Sequence, residues 1–323
     1  MHKASSCLLI GVAAAATALA SAAYAGGEAG KLQLRDVGAK FVGYTTKSAD
    51  NGSVDVLNPM FVQYLLPERR RHDHPVVFIH GGGGQGTDWL ETPDGRDGWV
   101  DYFVAAGWDV YVVDRPGHGR SQSNASCGNG QVRVGNSAII SRLSTAAPNV
   151  WPGGEPTPTN DAVIGWTASS ATAPYCGDAL AAQTISALLD QIGPAVVMVH
   201  SQSGAYGMDL VRARAIKMLG FINVEGNCAP VTPEEVVKIF SKVPLLSVWG
   251  DNSNGAPGPN GDERRNGCTS TVNAVKSAGG SAKFLLLPEA GQKGNSHMLM
   301  MDKNNLQIAD LIIGWLGENV PAR

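Results

Sequence analysis

Three segments of this chain carry residue types that could do nucleophilic chemistry. The first is Val199-His200-Ser201-Gln202-Ser203-Gly204, where an apolar run ends and a helical pattern begins. A serine on a sharp strand-to-helix turn presents its hydroxyl above the sheet, and such a turn needs small neighbours on either side. Two frames fit. Ser201 has Val199 and Ser203 as flanks, and Ser203 has Ser201 and Ala205, which sterics alone would prefer. His200 before it, Gly204 after it and the natural end of the strand favour Ser201. The second segment, His80-Gly81-Gly82-Gly83-Gly84, follows another apolar run. Glycines let a backbone approach closely, and aimed backbone N–H groups stabilise the negative oxygen that forms when a carbonyl is attacked. The donors expected are the N–H groups of Gln202, next after the nucleophile, and of Gly82. A phosphate-cradling loop does not fit, since neither the P-loop nor the dinucleotide-binding spacing is present. The third segment is Gly294-Asn295-Ser296-His297, which holds the one histidine beyond Ser201. A serine needs a base to take its proton, and behind an elbow of this kind the acid and then the histidine follow in chain order. His297 is therefore the expected base.

The acid has two candidates. Gly250-Asp251-Asn252-Ser253 stands where many such chains read G-D-x-D, so Ser253 replaces the usual acid and Asp251 can cap the turn. Glu225 ends the preceding strand, in Asn223-Val224-Glu225-Gly226. Glu225 is preferred. An aspartate nucleophile of the dehalogenase type is excluded by Ser201.

These residues need a scaffold. From Val76 onward, short apolar runs alternate with helical segments. Strands are expected at 76–79, 108–113, 195–199, 221–224, 245–249 and 284–287. Helices are expected at 98–106, 178–191, 204–217, 271–278 and 306–315. Continuous apolar strands separated by helices imply an α/β fold, a mostly parallel sheet covered on both faces. Residues 32–66 read as two β-rich stretches joined by the turn at 49–52, an antiparallel start to the same sheet. Residues 121–175 break the rhythm, being rich in Gly, Pro, Ser, Thr and Asn. A long irregular insertion at the carboxyl ends of the strands is expected to cap the site.

Taken together, the segments around Ser201, Val224-Glu225 and Gly294 to Met298 resemble secreted bacterial α/β-hydrolase esterases with a Ser-Glu-His triad. So does the stretch from Trp89 through Thr92-Pro93-Asp94-Gly95-Arg96 to Trp99. The likeness covers most of the chain beyond its leader. Asp114 to Ser121 resembles the wider fold's D-x-x-G-x-G-x-S turn, read as structural, with His118 outside the chemistry. The resemblance implies the α/β-hydrolase fold, carboxylesterase activity on a small-molecule ester, no cofactor, and allows a homodimer. A lactone or amide substrate would use the same machinery, and a non-catalytic binding protein on this scaffold is the reading from a different class.

The leader itself is legible. Lys3 precedes an apolar and small-residue run from Leu8 to Ala20, and Ala23-Tyr24-Ala25 offers a cleavage pattern. Residues 1–25 are expected to be a signal peptide and 26–323 one hydrolase domain, secreted or periplasmic. Cleavage removes Cys7 and leaves four cysteines, which in an oxidising compartment suggest two disulfides out of three pairings. Cys127–Cys176 and Cys228–Cys268 are expected. No cysteine has metal-ligand spacing. A formal net charge of −3 points to neither nucleic acid nor a membrane surface, and Arg69-Arg70-Arg71 reads as a solvated loop.

Overall fold

The structure is a computed structural model that describes residues 32–121, 136–140, 142, 157–170, 178–252 and 261–320. The chain runs β1 (Leu34–Val42), β2 (Thr45–Ser48), β3 (Val54–Leu57), β4 (Met60–Pro67), β5 (Val76–Ile79), α1 (Thr87–Leu90), α2 (Trp99–Ala105) and β6 (Val110–Asp114). It continues α3 (Ser137–Ile140), α4 (Asp161–Ser169), α5 (Asp178–Ile192), β7 (Ala195–His200), α6 (Ser203–Arg214), β8 (Met218–Val224) and α7 (Pro233–Lys238). It closes with β9 (Leu245–Trp249), α8 (Gly261–Ser277), β10 (Ala282–Leu286) and α9 (Asn305–Asn319).

Eight strands form one sheet in the order β1-β4-β6-β5-β7-β8-β9-β10. The pairings β1–β4 and β4–β6 are antiparallel, and every pairing from β6 to β10 is parallel. Side chains alternate across a strand. Val196 and Met198 of β7 therefore join one buried cluster, with Trp89, Trp99 and Phe103, while Ala195, Val197 and Val199 join the other, with Ile185 and Phe221. Both faces being covered is the reason these strands read as unbroken apolar runs rather than alternating ones. Full burial of each such side chain is worth about 1.5–3 kcal/mol relative to exposure.

Three expectations change in detail. The turn at 49–52 joins β2 to β3, which form a separate two-stranded sheet, so only β1 and β4 enter the main sheet. The helix expected to begin at 271 begins at Gly261, and its early turns are anchored by Cys268, which is buried and bonded to Cys228. Thr232-Pro233-Glu234-Glu235 makes a capping box that starts α7, an element not anticipated although its signature is in the sequence.

The described parts of the 121–175 insertion include two helices. Asn160 caps α4, accepting from the N–H groups of Ala162 and Val163. The buried Trp166 donates its indole N–H to Asp88 Oδ1 at 3.2 Å, and Gln85 donates to the Ser169 carbonyl. These bonds seat α4 on the segment that follows the glycine loop. A cleft of about 650 Å3 lies there, lined by Leu90, Thr92, Pro93, Ala162, Trp166 and Met301 among others. Among the described residues, no helix is long and apolar enough to cross a membrane. The cut after Ala25 and the Cys127–Cys176 pairing lie outside the described residues.

Candidate active site

The strand β7 ends at His200, and the chain turns at once into α6. Ser201 occupies that turn with φ 52°, in the left-handed region that a residue with a Cβ rarely adopts. Its N–H donates to the Val224 carbonyl at 3.0 Å, and its carbonyl accepts from Gly204 N–H at 2.9 Å and Asn227 N–H at 3.2 Å. The turn leaves no room at Gly204, where a Cβ would stand 2.4 Å from the Asn227 carbonyl oxygen. Ser203 is different in kind. It is the first residue of α6 and fully buried, and its hydroxyl donates to the His80 carbonyl at 2.5 Å. The left-handed, partly exposed serine is Ser201, and Ser203 ties the elbow to the glycine loop.

His297 Nε2 lies 2.8 Å from Ser201 Oγ, and its Nδ1 lies 3.2 Å from Glu225 Oε2. The hydroxyl, the imidazole and the carboxylate thus form one chain. Glu225 and His297 are both buried. The other carboxylate oxygen, Glu225 Oε1, accepts from Gly250 N–H at 2.6 Å. Glu225 also sits at positive φ, 51°, one residue beyond β8. Burial pushes His297 well below the ordinary histidine range, and the charges of Arg264 and Arg142 act in the same sense. The imidazole is therefore held in its neutral, basic form.

Asp251 does not compete for the histidine. Its two oxygens accept from Gly294 N–H at 2.9 Å and Asn295 N–H at 2.8 Å, which holds the loop that carries His297. The same loop is braced from behind by Asp302. That buried carboxyl accepts from Ser296 N–H at 2.8 Å, Ser296 Oγ at 2.7 Å and Asn295 Nδ2 at 2.9 Å, and desolvation pushes it up to about 7. Arg96 in turn donates to the carbonyls of Met301 and Asp302, at 2.7 and 3.0 Å, and Trp99 Nε1 donates to the Asn305 carbonyl at 2.8 Å. The Thr92-to-Trp99 motif thus anchors the segment just after His297. His200 donates from Nε2 to the His297 carbonyl at 2.9 Å, a further fixed point.

The glycine loop passes against Ser201. A Cβ on Gly81 would stand 3.0 Å from Ser201 Cβ and 2.6 Å from His200 Nδ1, so only glycine fits. The peptide joining Gly81 to Gly82 is clamped through its carbonyl. Arg115 N–H donates to His80 Nε2 at 3.0 Å, which leaves the proton on Nδ1, and that Nδ1 donates to the Gly81 carbonyl at 2.8 Å. Arg115 Nη2 donates to the same carbonyl at 3.0 Å and to Gln202 Oε1 at 3.2 Å. The N–H of that clamped peptide is the one on Gly82. Among the described residues, the N–H groups of Gly82 and Gln202 are given to no acceptor.

Asp114, in the D-x-x-G-x-G-x-S turn, is structural as read. It accepts from Gly86 N–H at 2.7 Å and from Arg120 N–H at 2.8 Å. His118 is buried against His80, and burial lowers it to about 4. Cys228 is bonded to Cys268. That bond pins α8 to the turn that follows Glu225. Arg115, Asp302 and Arg264 were not anticipated as parts of the site, and Ser203, weighed as the alternative nucleophile, instead braces the elbow. Arg115 sat inside a motif already noticed, and Asp302 and Arg264 left no sequence signal.

Residues 76–299 match the Alpha/beta hydrolase family. The chain belongs to that family. It is 29% identical over 320 residues to a protein described as probable secreted lipase phiG, from Fungal sp. (strain ATCC 74256), covering 80% of this chain and 85% of that one. A solved structure described as a novel bacterial esterase superposes with a TM-score of 0.76 at 29% identity, covering 90% of this chain and 98% of that one. The fold alone is shared with a hydrolase from Thermoplasma acidophilum, at 15% identity and a TM-score of 0.53 over 88% of this chain and 99% of that one.

Proposed function

We propose that this protein is an exported serine hydrolase that cleaves carboxylic esters through an acyl-enzyme. The observation that carries the reading is the unbroken chain from Ser201 Oγ through His297 to Glu225, on a serine held at positive φ. His297 takes the hydroxyl proton as Ser201 attacks the ester carbonyl, and Glu225 keeps the imidazole in the required tautomer and stabilises the imidazolium. The N–H groups of Gly82 and Gln202 receive the developing oxyanion, and a donor in that role is worth about 3–4 kcal/mol. His297 returns the proton to the leaving alcohol, and water repeats the sequence on the acyl-enzyme. The similarity to an esterase and a lipase supports an ester as the substrate.

Residues 1–25 serve as the signal peptide, the stretch of about 121–175 caps the site, and Cys127 pairs with Cys176 in the exported protein. The seat of α4 beside the glycine loop supports the cap. The test is a fluorophosphonate probe followed by peptide mass spectrometry, with turnover of chromogenic esters, lactones and amides by wild type and Ser201→Ala. Label on Ser201, with ester turnover lost in the variant, is the expected result. Label on Ser203 overturns the choice of nucleophile, and no label overturns the enzyme reading.

A further inference from the structure

Arg264 is a buried cation whose Nε and Nη2 have no hydrogen-bond partner among the described residues. It lies in the first turn of α8 with only 5% of its surface exposed. A guanidinium stays charged at any physiological pH. A charge taken out of water is costly unless something pairs with it.

Its position points at the reaction centre. Helix α8 follows β9, so its first turn lies at the carboxyl edge of the parallel sheet, the edge that bears Ser201 and Glu225. Arg264 and Cys268 are four residues apart and share a helix face. Cys268 is bonded to Cys228, and its sulfur lies 3.2 Å from the Gly226 carbonyl oxygen, directly after Glu225. Helical side chains lean toward the helix N-terminus, which carries the guanidinium from that face toward the triad. The charges feel one another accordingly: Glu225 favours the Arg264 cation, and Arg264 disfavours a proton on His297.

The nearby carboxylates are spent elsewhere. Glu225 accepts from His297 and Gly250, Asp251 from Gly294 and Asn295, and Asp302 from Asn295 and Ser296. Among the described residues, none of them accepts a hydrogen bond from Arg264 Nε or Nη2. A neutral acyl chain would bring this cation no counter-ion. An anionic group on the substrate would pair with it.

We propose that Arg264 is the recognition site for a carboxylate on the substrate, so that the preferred substrates are esters bearing a free carboxylate, such as monoesters of dicarboxylic acids. This rests on the serine-esterase reading and adds the substrate class to it. The planar fork of arginine suits two-point binding of a carboxylate.

The mono-p-nitrophenyl esters of succinate, glutarate and adipate are compared with neutral p-nitrophenyl esters in which an isopropyl group replaces the carboxylate. Spontaneous release is measured with Ser201→Ala and subtracted. For at least one chain length, wild type is expected to favour the anionic ester in kcat/KM by about tenfold or more, the worth of one charge-assisted pair. In Arg264→Gln the ratio of the two kcat/KM values is expected to collapse toward unity, and in Arg264→Lys to fall between. Fluorophosphonate labelling of Ser201 reports that each variant is folded. Should Arg264→Gln fail to label, the lysine variant decides. No anionic preference in wild type at any length, or a ratio unchanged by the substitutions, overturns the assignment. A wild type that neither labels nor turns over the neutral esters would instead overturn the esterase reading.

Discussion

Replacing Glu225 by glutamine tests the acid through an asymmetry in its hydrogen bonds. The carboxylate accepts twice, from His297 Nδ1 at 3.2 Å and from Gly250 N–H at 2.6 Å. A carboxamide has one oxygen and one NH2. Gly250 N–H is a fixed donor in the backbone, so the amide oxygen must face it, and the NH2 must then face His297 Nδ1. An NH2 there requires an unprotonated Nδ1, which puts the imidazole proton on Nε2, pointing at Ser201. In that tautomer His297 cannot accept the serine proton. The comparable change in a serine protease triad lowers kcat about ten-thousandfold, or about 5 kcal/mol of barrier. Glu225→Gln is expected to lose activity on that order while folding normally, since it buries a neutral group in place of a charge. Asp251→Asn keeps one of two bonds to the loop before His297 and should cost about 1–2 kcal/mol of stability, with kcat reduced less than tenfold. Steady-state kinetics on a neutral chromogenic ester, with circular dichroism for folding, separates the two. If folded Asp251→Asn is inactive while Glu225→Gln stays near wild type, the reasoning about the acid fails.

Two further outcomes follow from the same geometry. Arg115→Met removes the side-chain donors to the Gly81 carbonyl and to Gln202, so kcat should fall about ten- to a hundredfold with KM little changed, and the affinity of a trifluoromethyl ketone should fall in parallel; a raised KM at unchanged kcat would refute it. His297 must be neutral to act as base, and burial with the charges of Arg264 and Arg142 lowers its pKa against the opposing Glu225 carboxylate. Activity is lost only as pH falls through that lowered value. The acid limb of kcat/KM for a neutral ester should therefore lie below the ordinary histidine pKa of about 6.5, and a limb at or above that value contradicts the burial argument.

How much of this the sequence carried depends on the range of the interaction. Local pattern was enough for the parallel strands, because unbroken apolar runs such as Val76–Ile79 reflect burial on both faces. It pointed to His297, the one histidine after the elbow, which lies 2.8 Å from Ser201 Oγ. It favoured Ser201 over Ser203 through His200, Gly204 and the strand end, although small flanking residues fit either frame. Backbone φ, the His297 contact to Ser201 and the Ser203 bond to the His80 carbonyl separate them, and that last bond spans 123 positions. Asp302 and Arg115 act through contacts fixed by the folded sheet, which no local window contains. The start of α8 was misplaced because tertiary anchoring at Cys268 overrides the weak helical pattern of Gly261 to Asn266.

One device was written in the sequence but disguised. A residue held in the left-handed region costs on the order of 1–3 kcal/mol and persists only where the surroundings over-determine it. Three described residues other than glycine adopt it, and two of them, Ser201 and Glu225, lie one residue beyond the neighbouring strands β7 and β8. Each is fixed in the same way. Ser201 N–H donates to the Val224 carbonyl at the end of β8, and Glu225 N–H donates to the Val248 carbonyl in β9. The ladder between parallel strands thus extends one residue past the point where each chain turns away, and it holds both turns open. A glycine would adopt either conformation without strain but would carry no hydroxyl and no carboxylate. Strain at two adjacent strand ends is what sets both groups on one edge of the sheet, within reach of a single imidazole.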